Sequence, residues 1–193
     1  MGSLTEEQKS ILIGCLLGDG AMRKKKNALL EINHCLAQKS LVDWKFSKFK
    51  ELVRTLPKSR KGNGKRIAYR FVTRSLPELT PFYDKFFASK KKRIPIDLDL
   101  TPLALAIWFM DDGSKTYSSV YLNTQQFSKD EQLNLIYALK KQFGIDSTLN
   151  KDKTYFRIRI KTRSIVEFIN LVEPFVLEEF KYKLPKQTSV MTP

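Results

Sequence analysis

Leu12-Ile13-Gly14-Cys15-Leu16-Leu17-Gly18-Asp19-Gly20 and Leu105-Ala106-Ile107-Trp108-Phe109-Met110-Asp111-Asp112-Gly113 are two copies of one pattern, an apolar helix that ends in Asp-Gly. The copies are offset by 93 residues, Asp19 against Asp112, in a chain of 193, so each opens one half of the protein. A helix C-terminus carries negative dipole and favours Lys or Arg, which makes a carboxylate there locally unfavourable. Two halves making the same costly choice suggest a cation between them, and the repeat therefore predicts a metal site.

Outward from the two copies, the pattern of elements repeats. Thr5-Glu6-Glu7-Gln8 reads as a capping box that opens the first helix, which stops at Gly20. A basic hairpin tip at Arg23-Lys24-Lys25-Lys26-Asn27 leads into a strand over 28–35. A long amphipathic helix over 39–56 is expected to bury Leu41, Val42, Trp44, Phe46, Phe49, Leu52 and Val53. A Gly/Lys/Arg turn over 58–65, a strand over 66–74 and a helix capped by Ser75-Leu76-Pro77-Glu78 and running to Ala88 complete the half. In the second half Thr101-Pro102 starts the helix, with Pro at its first position. A strand over 119–125, a Ser128-capped helix to Phe143, a hairpin of strands over 146–151 and 154–161, and a helix over 163–172 follow. Each half reads α-β-β-α-β-β-α. The boundary is placed at 95/96 within 89–100, the only candidate linker, giving halves 1–95 and 96–193.

Composition narrows the function classes. Lys and Arg number 35 against 20 Asp and Glu, for a net charge of +15 and a pI near 9.8, the electrostatic footprint of a nucleic-acid binder. Cys15 and Cys35 form no CxxC pair and read as reduced, buried thiols, which fits an intracellular protein better than a disulfide framework. The sole histidine, His34, has no second His or Cys at ligand spacing, which argues against zinc. The polar, acidic stretch 1–10 shows no signal peptide. The apolar run around Gly14-Cys15-Leu16-Leu17-Gly18 falls far short of the roughly 20 residues of a membrane span.

The strand 154–161 alternates cleanly. Tyr155, Arg157, Arg159 and Lys161 point one way, and Phe156, Ile158 and Ile160 the other. Its first-half counterpart sets Arg66, Arg70 and Arg74 opposite Ile67, Tyr69 and Phe71. Sheets apolar behind and cationic in front, without carboxylates, suit a phosphate-lined groove, although a solvated sheet face carries the same alternation. With Arg23, Lys24 and Lys25 at the hairpin tip, Lys115, and Lys151 and Lys153 near the last hairpin, they form the candidate DNA surface. The aromatics lie mostly on core faces, so duplex rather than single-stranded DNA is expected.

The duplicated helix resembles the signature of the LAGLIDADG homing endonucleases in their single-chain, two-copy form, over nearly the whole chain. It is most similar to the omega-type, mitochondrial intron-encoded members, through Leu100-Thr101-Pro102, Trp108 to Gly113, Leu122-Asn123-Thr124-Gln125 and Tyr182-Lys183-Leu184-Pro185. The resemblance implies an α+β fold of two pseudo-twofold-related αββαββα halves. Their motif helices would pack at the axis through Gly14, Gly18, Ala104 and Ala106, and their antiparallel sheets would form a DNA-binding saddle. It implies a monomer that cuts both strands of a long asymmetric target, leaving short 3′ overhangs, with Mg²⁺ held by Asp19 and Asp112. Mn²⁺ is expected to substitute. Gly18 and Asp111, next to those aspartates, are the neighbouring candidate metal positions, and Asp111 can instead serve as a hydrogen-bonding or capping group. The resemblance places basic catalytic residues at Lys92, within Lys92-Arg93-Ile94-Pro95, and at Lys183. A solvated linker is the alternative for the cluster that Lys92 shares with Lys90, Lys91 and Arg93. It places Gln38 near the catalytic water, where a helix-entry role is the other reading. An RNA-binding intron maturase and a catalytically silent DNA-binding regulator are the alternatives on the same fold.

Overall fold

A computed structural model describes residues 3–62 and 66–185. Residues 63–65, part of the expected turn over 58–65, lie outside the described residues. The chain divides into two compact units, one through Arg93 and one from Ile94.

The first unit runs α1 (Glu6–Leu17), β1 (Ala21–Lys24), β2 (Ala28–Cys35), α2 (Lys39–Phe49), β3 (Lys58–Lys61), β4 (Ile67–Val72) and α3 (Thr80–Phe86), then a short hairpin of β5 (Phe87–Ala88) and β6 (Lys91–Lys92). The second runs α4 (Pro102–Asp112), β7 (Gly113–Lys115), β8 (Val120–Leu122), α5 (Lys129–Phe143), β9 (Ser147–Asp152), β10 (Tyr155–Ile160) and α6 (Ile165–Val172). Both units build a four-stranded antiparallel sheet of the same topology, β1-β2-β4-β3 and β7-β8-β10-β9. The αββαββα repeat read from the sequence is the repeat the chain adopts.

Local signals explain the helix starts. Thr5 and Ser128 each form a reciprocal capping box, with Gln8 and Glu131. Thr101 accepts from the Ala104 N–H ahead of Pro102. Gly144 ends α5 in the left-handed region at φ 69°. One face of each sheet is buried. In the first unit Leu30, Ile32, Tyr69 and Phe71 pack with Leu41, Val42 and Phe49 of α2, and Phe46 meets Phe71 edge-on at 5.7 Å. In the second, Val120, Leu122, Ile158 and Ile160 are buried along with Leu135, Ala138 and Leu139 of α5, and Phe109 meets Phe168 edge-on.

Several expectations are corrected. The helix expected over 39–56 stops at Phe49, because Leu52 and Val53 are taken by the sheet: the Arg74 N–H donates to Leu52 O, and Val53 bridges Thr73. Trp44, Phe46, Leu52 and Val53 are half-buried rather than core. Lys58–Lys61, expected as turn, is an edge strand. All four of its side chains are exposed, so its composition carries no alternation to read. The Ser75–Glu78 capping box does not form, since the Ser75 hydroxyl donates to Asn27 O instead. The helix expected to reach Ala88 ends at Phe86, because 87–88 pair with 91–92 around Ser89 and Lys90, both at positive φ. Ile67, expected on the apolar face, lies near the strand end and is exposed. Cys35 is half-exposed, although Cys15 is buried as expected.

Candidate functional site

The Asp-Gly ends of α1 and α4 are each built by close backbone packing. A Cβ on Gly20 would lie 2.7 Å from Cys15 O, and one on Gly113 would lie 2.3 Å from Phe109 O. Any side chain there would push the chain off the helix end and displace the preceding aspartate. The glycines are needed for space.

Neither α1 nor α4 has a basic residue in its last turn. The missing cation arrives from the far end of each unit. Lys92, on β6, donates from Nζ to Gly18 O at 2.8 Å. Lys183, near the C-terminal end of the second unit, donates from Nζ to Met110 O at 2.6 Å and to Asp111 O at 3.4 Å. Gly18 and Asp111 occupy the same place in the two copies, each immediately before the terminal aspartate. Both halves therefore repeat one arrangement: a carboxylate, the carbonyl ahead of it, and a lysine folded back from more than 70 residues away.

Around Asp19 the first unit adds three side chains. His34 Nδ1 lies 3.4 Å from Asp19 Oδ2 and 3.3 Å from Gln38 Oε1. Lys45 Nζ lies 3.3 Å from His34 Nε2. The Asp19 side chain is 46% exposed, while His34 is shut away from solvent. In the second unit the Asp112 carbonyl accepts from both the backbone N–H and the side-chain amide of Asn123. Asp111 is buried, with its carbonyl against Lys183. The Gly18 carbonyl takes the Lys92 amine.

His34 and Lys45 were not among the expected site residues. A signal for Lys45 existed: it falls in helical register with Leu41, Val42 and Phe49, a stripe on which a charged residue is out of place.

The expected nucleic-acid face is sorted by the strand register. Arg23, Glu31, Asn33, Arg70, Lys58 and Arg60 share the outer face of the first sheet. Tyr121, Arg157, Arg159, Thr148 and Asn150 share that of the second. The faces are not free of carboxylates, as had been expected. Glu31 pairs with both Arg23 and Arg70, and Asp152 accepts from Gln125. Glu31 holds its two arginines in place through charge-assisted bonds. Arg157 lies over the Tyr121 ring at 4.0 Å, and among the described residues its buried Nε has no hydrogen-bond partner.

The remaining candidates point elsewhere or sit at edges. Lys24 turns to the helix side and bonds Asp84 at 2.6 Å, and Lys115 donates to Leu184 O. Arg74 donates to Glu51 O, whereas Arg159 keeps its place on the outer face while donating to Ser119 Oγ. Lys151 stands opposite Phe156 on the edge strand β9. Lys153 forms the β9–β10 turn at φ 57°. Lys25, Arg66, Tyr155 and Lys161 are exposed.

With this geometry in view, the family profile of the LAGLIDADG DNA endonucleases matches residues 9–168, and the chain belongs to that family. A probable intron-encoded endonuclease of Wickerhamomyces canadensis is 32% identical, over 94% of this chain and 85% of its own length. The cytochrome b mRNA maturase bI2 of Saccharomyces cerevisiae is also 32% identical over 95% of the chain, which spans about half (48%) of that longer protein. Among solved structures, the homing endonuclease I-WcaI bound to its DNA recognition sequence superposes with a TM-score of 0.89 at 32% identity, covering 95% of this chain and 88% of that one. No helix among the described residues is long and apolar enough to cross a membrane.

Proposed function

We propose that this protein is a site-specific double-strand DNA endonuclease that uses Mg²⁺, or Mn²⁺ in its place, and leaves short 3′ overhangs. The observation that carries the reading is the repeated helix end: Asp19 beside Gly18 O and Lys92, Asp112 beside Asp111 O and Lys183.

Among the described residues no three His, Cys, Asp or Glu side chains converge as a closed metal cage. One carboxylate per half suits a hard cation that keeps several waters and takes the rest of its ligands from phosphate. Asp19 and Asp112 would hold it. When bound, a divalent ion supplies an acidified water and neutralises charge on the scissile phosphate. The chain's own groups do the remainder. Lys92 and Lys183 bring fixed positive charge to the two carboxylates, where negative charge grows on the phosphate in the transition state. Gln38, which meets His34 Nδ1 at 3.3 Å, would orient a water beside Asp19. The outer sheet faces offer Arg23, Arg70, Arg157 and Arg159 to base edges and phosphates.

The protein acts as a monomer on a long asymmetric duplex, with both active centres in one chain. Its resemblance to intron-encoded mitochondrial members supports placing it in the compartment that holds its intron. Identity with a maturase favours a second role, binding the RNA of that intron. In-vitro splicing of intron RNA with and without the protein tests that role separately.

The test of the main reading is cleavage of a plasmid carrying the insertion site of the gene's own intron, with Mg²⁺, by wild type, Asp19→Asn and Asp112→Asn. Wild type should linearise it, and each variant should lose double-strand cutting while still binding the site. Undiminished cutting by both variants would overturn the assignment.

A further inference from the structure

The two halves repeat the helix end but not what stands behind it. Ala21 pairs with Glu31 across β1 and β2, and Ser114, 93 residues after Ala21, pairs with Tyr121 across β7 and β8. Glu31 therefore corresponds to Tyr121, and three residues on, His34 corresponds to Thr124. The same offset of 90 carries Gln38 to Ser128, each the residue that opens its helix, and Lys45 to Leu135. At matching positions the first half buries an imidazole and an ammonium, and the second a hydroxyl and an isobutyl group. Thr124 donates its hydroxyl to Gln132, whose amide in turn donates to Phe127 O.

Lys45 and His34 are both shut off from solvent. An ammonium in that position loses its hydration and persists only where its donors are used. Leu135 is fully buried at the same place in the second half. The helix therefore accepts an apolar residue there, and packing does not require Lys45. A charged Lys45 is donor-only, and with it His34 Nε2 accepts and the ring proton sits on Nδ1. Nδ1 is the nitrogen facing Asp19 Oδ2 at 3.4 Å and Gln38 Oε1 at 3.3 Å. One imidazole, its tautomer set from behind by Lys45, thus reaches the carboxylate and the amide of the first half together.

We propose that Lys45 and His34 are positioning residues that orient Asp19 and Gln38 for divalent-cation binding, and that the replacement of this pair by Thr124 and Leu135 in the second half makes the two strand cuts unequal. The proposal rests on the nuclease reading. It adds that the half built on Asp19 depends on an imidazole–ammonium pair that the other half replaces with Thr124 and Leu135. A hydrogen bond to one carboxylate oxygen leaves the second directed at the cation, and loss of such outer partners typically costs about 10- to 100-fold in metal affinity.

The experiment uses the full chain on a duplex carrying the intron-insertion site, with each strand labelled separately, comparing wild type with Lys45→Met, His34→Leu, His34→Gln and Thr124→Val. Mn²⁺ affinity of the protein–DNA complex is measured in parallel. Lys45→Met and His34→Leu should slow one strand about tenfold or more and leave the other within about twofold. They should weaken one class of Mn²⁺ site by a similar factor, at unchanged affinity for DNA without metal. His34→Gln, which keeps a donor, should recover part of both losses, and Thr124→Val should not separate the two strands. Equal slowing of both strands, identical behaviour of the Leu and Gln variants, or unchanged Mn²⁺ affinity would overturn the proposal. Should wild type cut neither strand, the nuclease reading fails, and the Mn²⁺ titration still decides whether the pair supports a metal site.

Discussion

At the scale of single residues, the unexpected carboxylates at two helix ends are answered by two lysines distant in sequence. A basic residue in the last helical turn would satisfy the dipole as well, but a lysine folded back from the end of the unit reaches the carbonyl immediately ahead of the aspartate. Lys183→Met keeps the apolar stem and removes the charge. Its expected effect is a fall of about 10²- to 10³-fold in the cleavage rate, the usual result of losing one pre-placed donor at a reacting centre. Single-turnover cleavage checks the rate, and binding to the same duplex without metal should change by only a few fold. Loss of binding in proportion to rate would make Lys183 a docking residue instead. Both motif aspartates were legible from the sequence because Asp-Gly after an apolar helix occurs twice. The carbonyl each lysine meets was not, since a contact spanning more than 70 residues leaves no local trace.

At the scale of elements, boundaries followed local chemistry where a cap is a self-contained bond, as at Thr5 and Ser128. They failed where a strand from elsewhere competed for the chain, as at Leu52–Val53 and Phe87–Ala88. The α5–β9 corner shows a tertiary charge contact that can be measured. Asp146 receives Lys140 at 3.1 Å and Arg163 at 2.9 Å, and the Lys140 bond first, then Arg163, holds its carboxyl below the ordinary range. A folded-state pKa below the unfolded value contributes stability that is present above the unfolded pKa, about 3.9, and lost as pH falls through the folded one. Asp146→Asn should therefore lower Tm at pH 7, and by less once the pH is taken below the unfolded value of about 3.9. An equal Tm difference at both pH values would show that the contact acts through packing.

At the scale of the whole molecule, the excess of 15 positive charges sets the response to salt. Each phosphate contact contributes about −0.9 to the slope of log K against log salt on duplex DNA. Binding should weaken steeply between about 50 and 200 mM salt. Arg157→Ala, which removes the guanidinium stacked on Tyr121, should cost about 1–3 kcal/mol on the cognate site if that arginine reads a base in two-point fashion. Titrations of both proteins at several salt concentrations check this. An unchanged affinity and slope would take β10 out of the interface.

Repeat, charge balance and alternating strands are carried by neighbouring residues, because helix and strand periods act over a few positions. They were enough to establish two αββαββα halves, a cationic sheet face in each, and the pair of aspartates. Side-chain partnerships across the fold were decided by packing alone. Glu31 between two arginines, Lys24 turned to Asp84, and the buried His34–Lys45 pair behind Asp19 depend on which strands become neighbours and in what register. Register is a property of the folded chain, and a shift of one residue would send the strand side chains among these, Lys24, Glu31 and His34, to the opposite face.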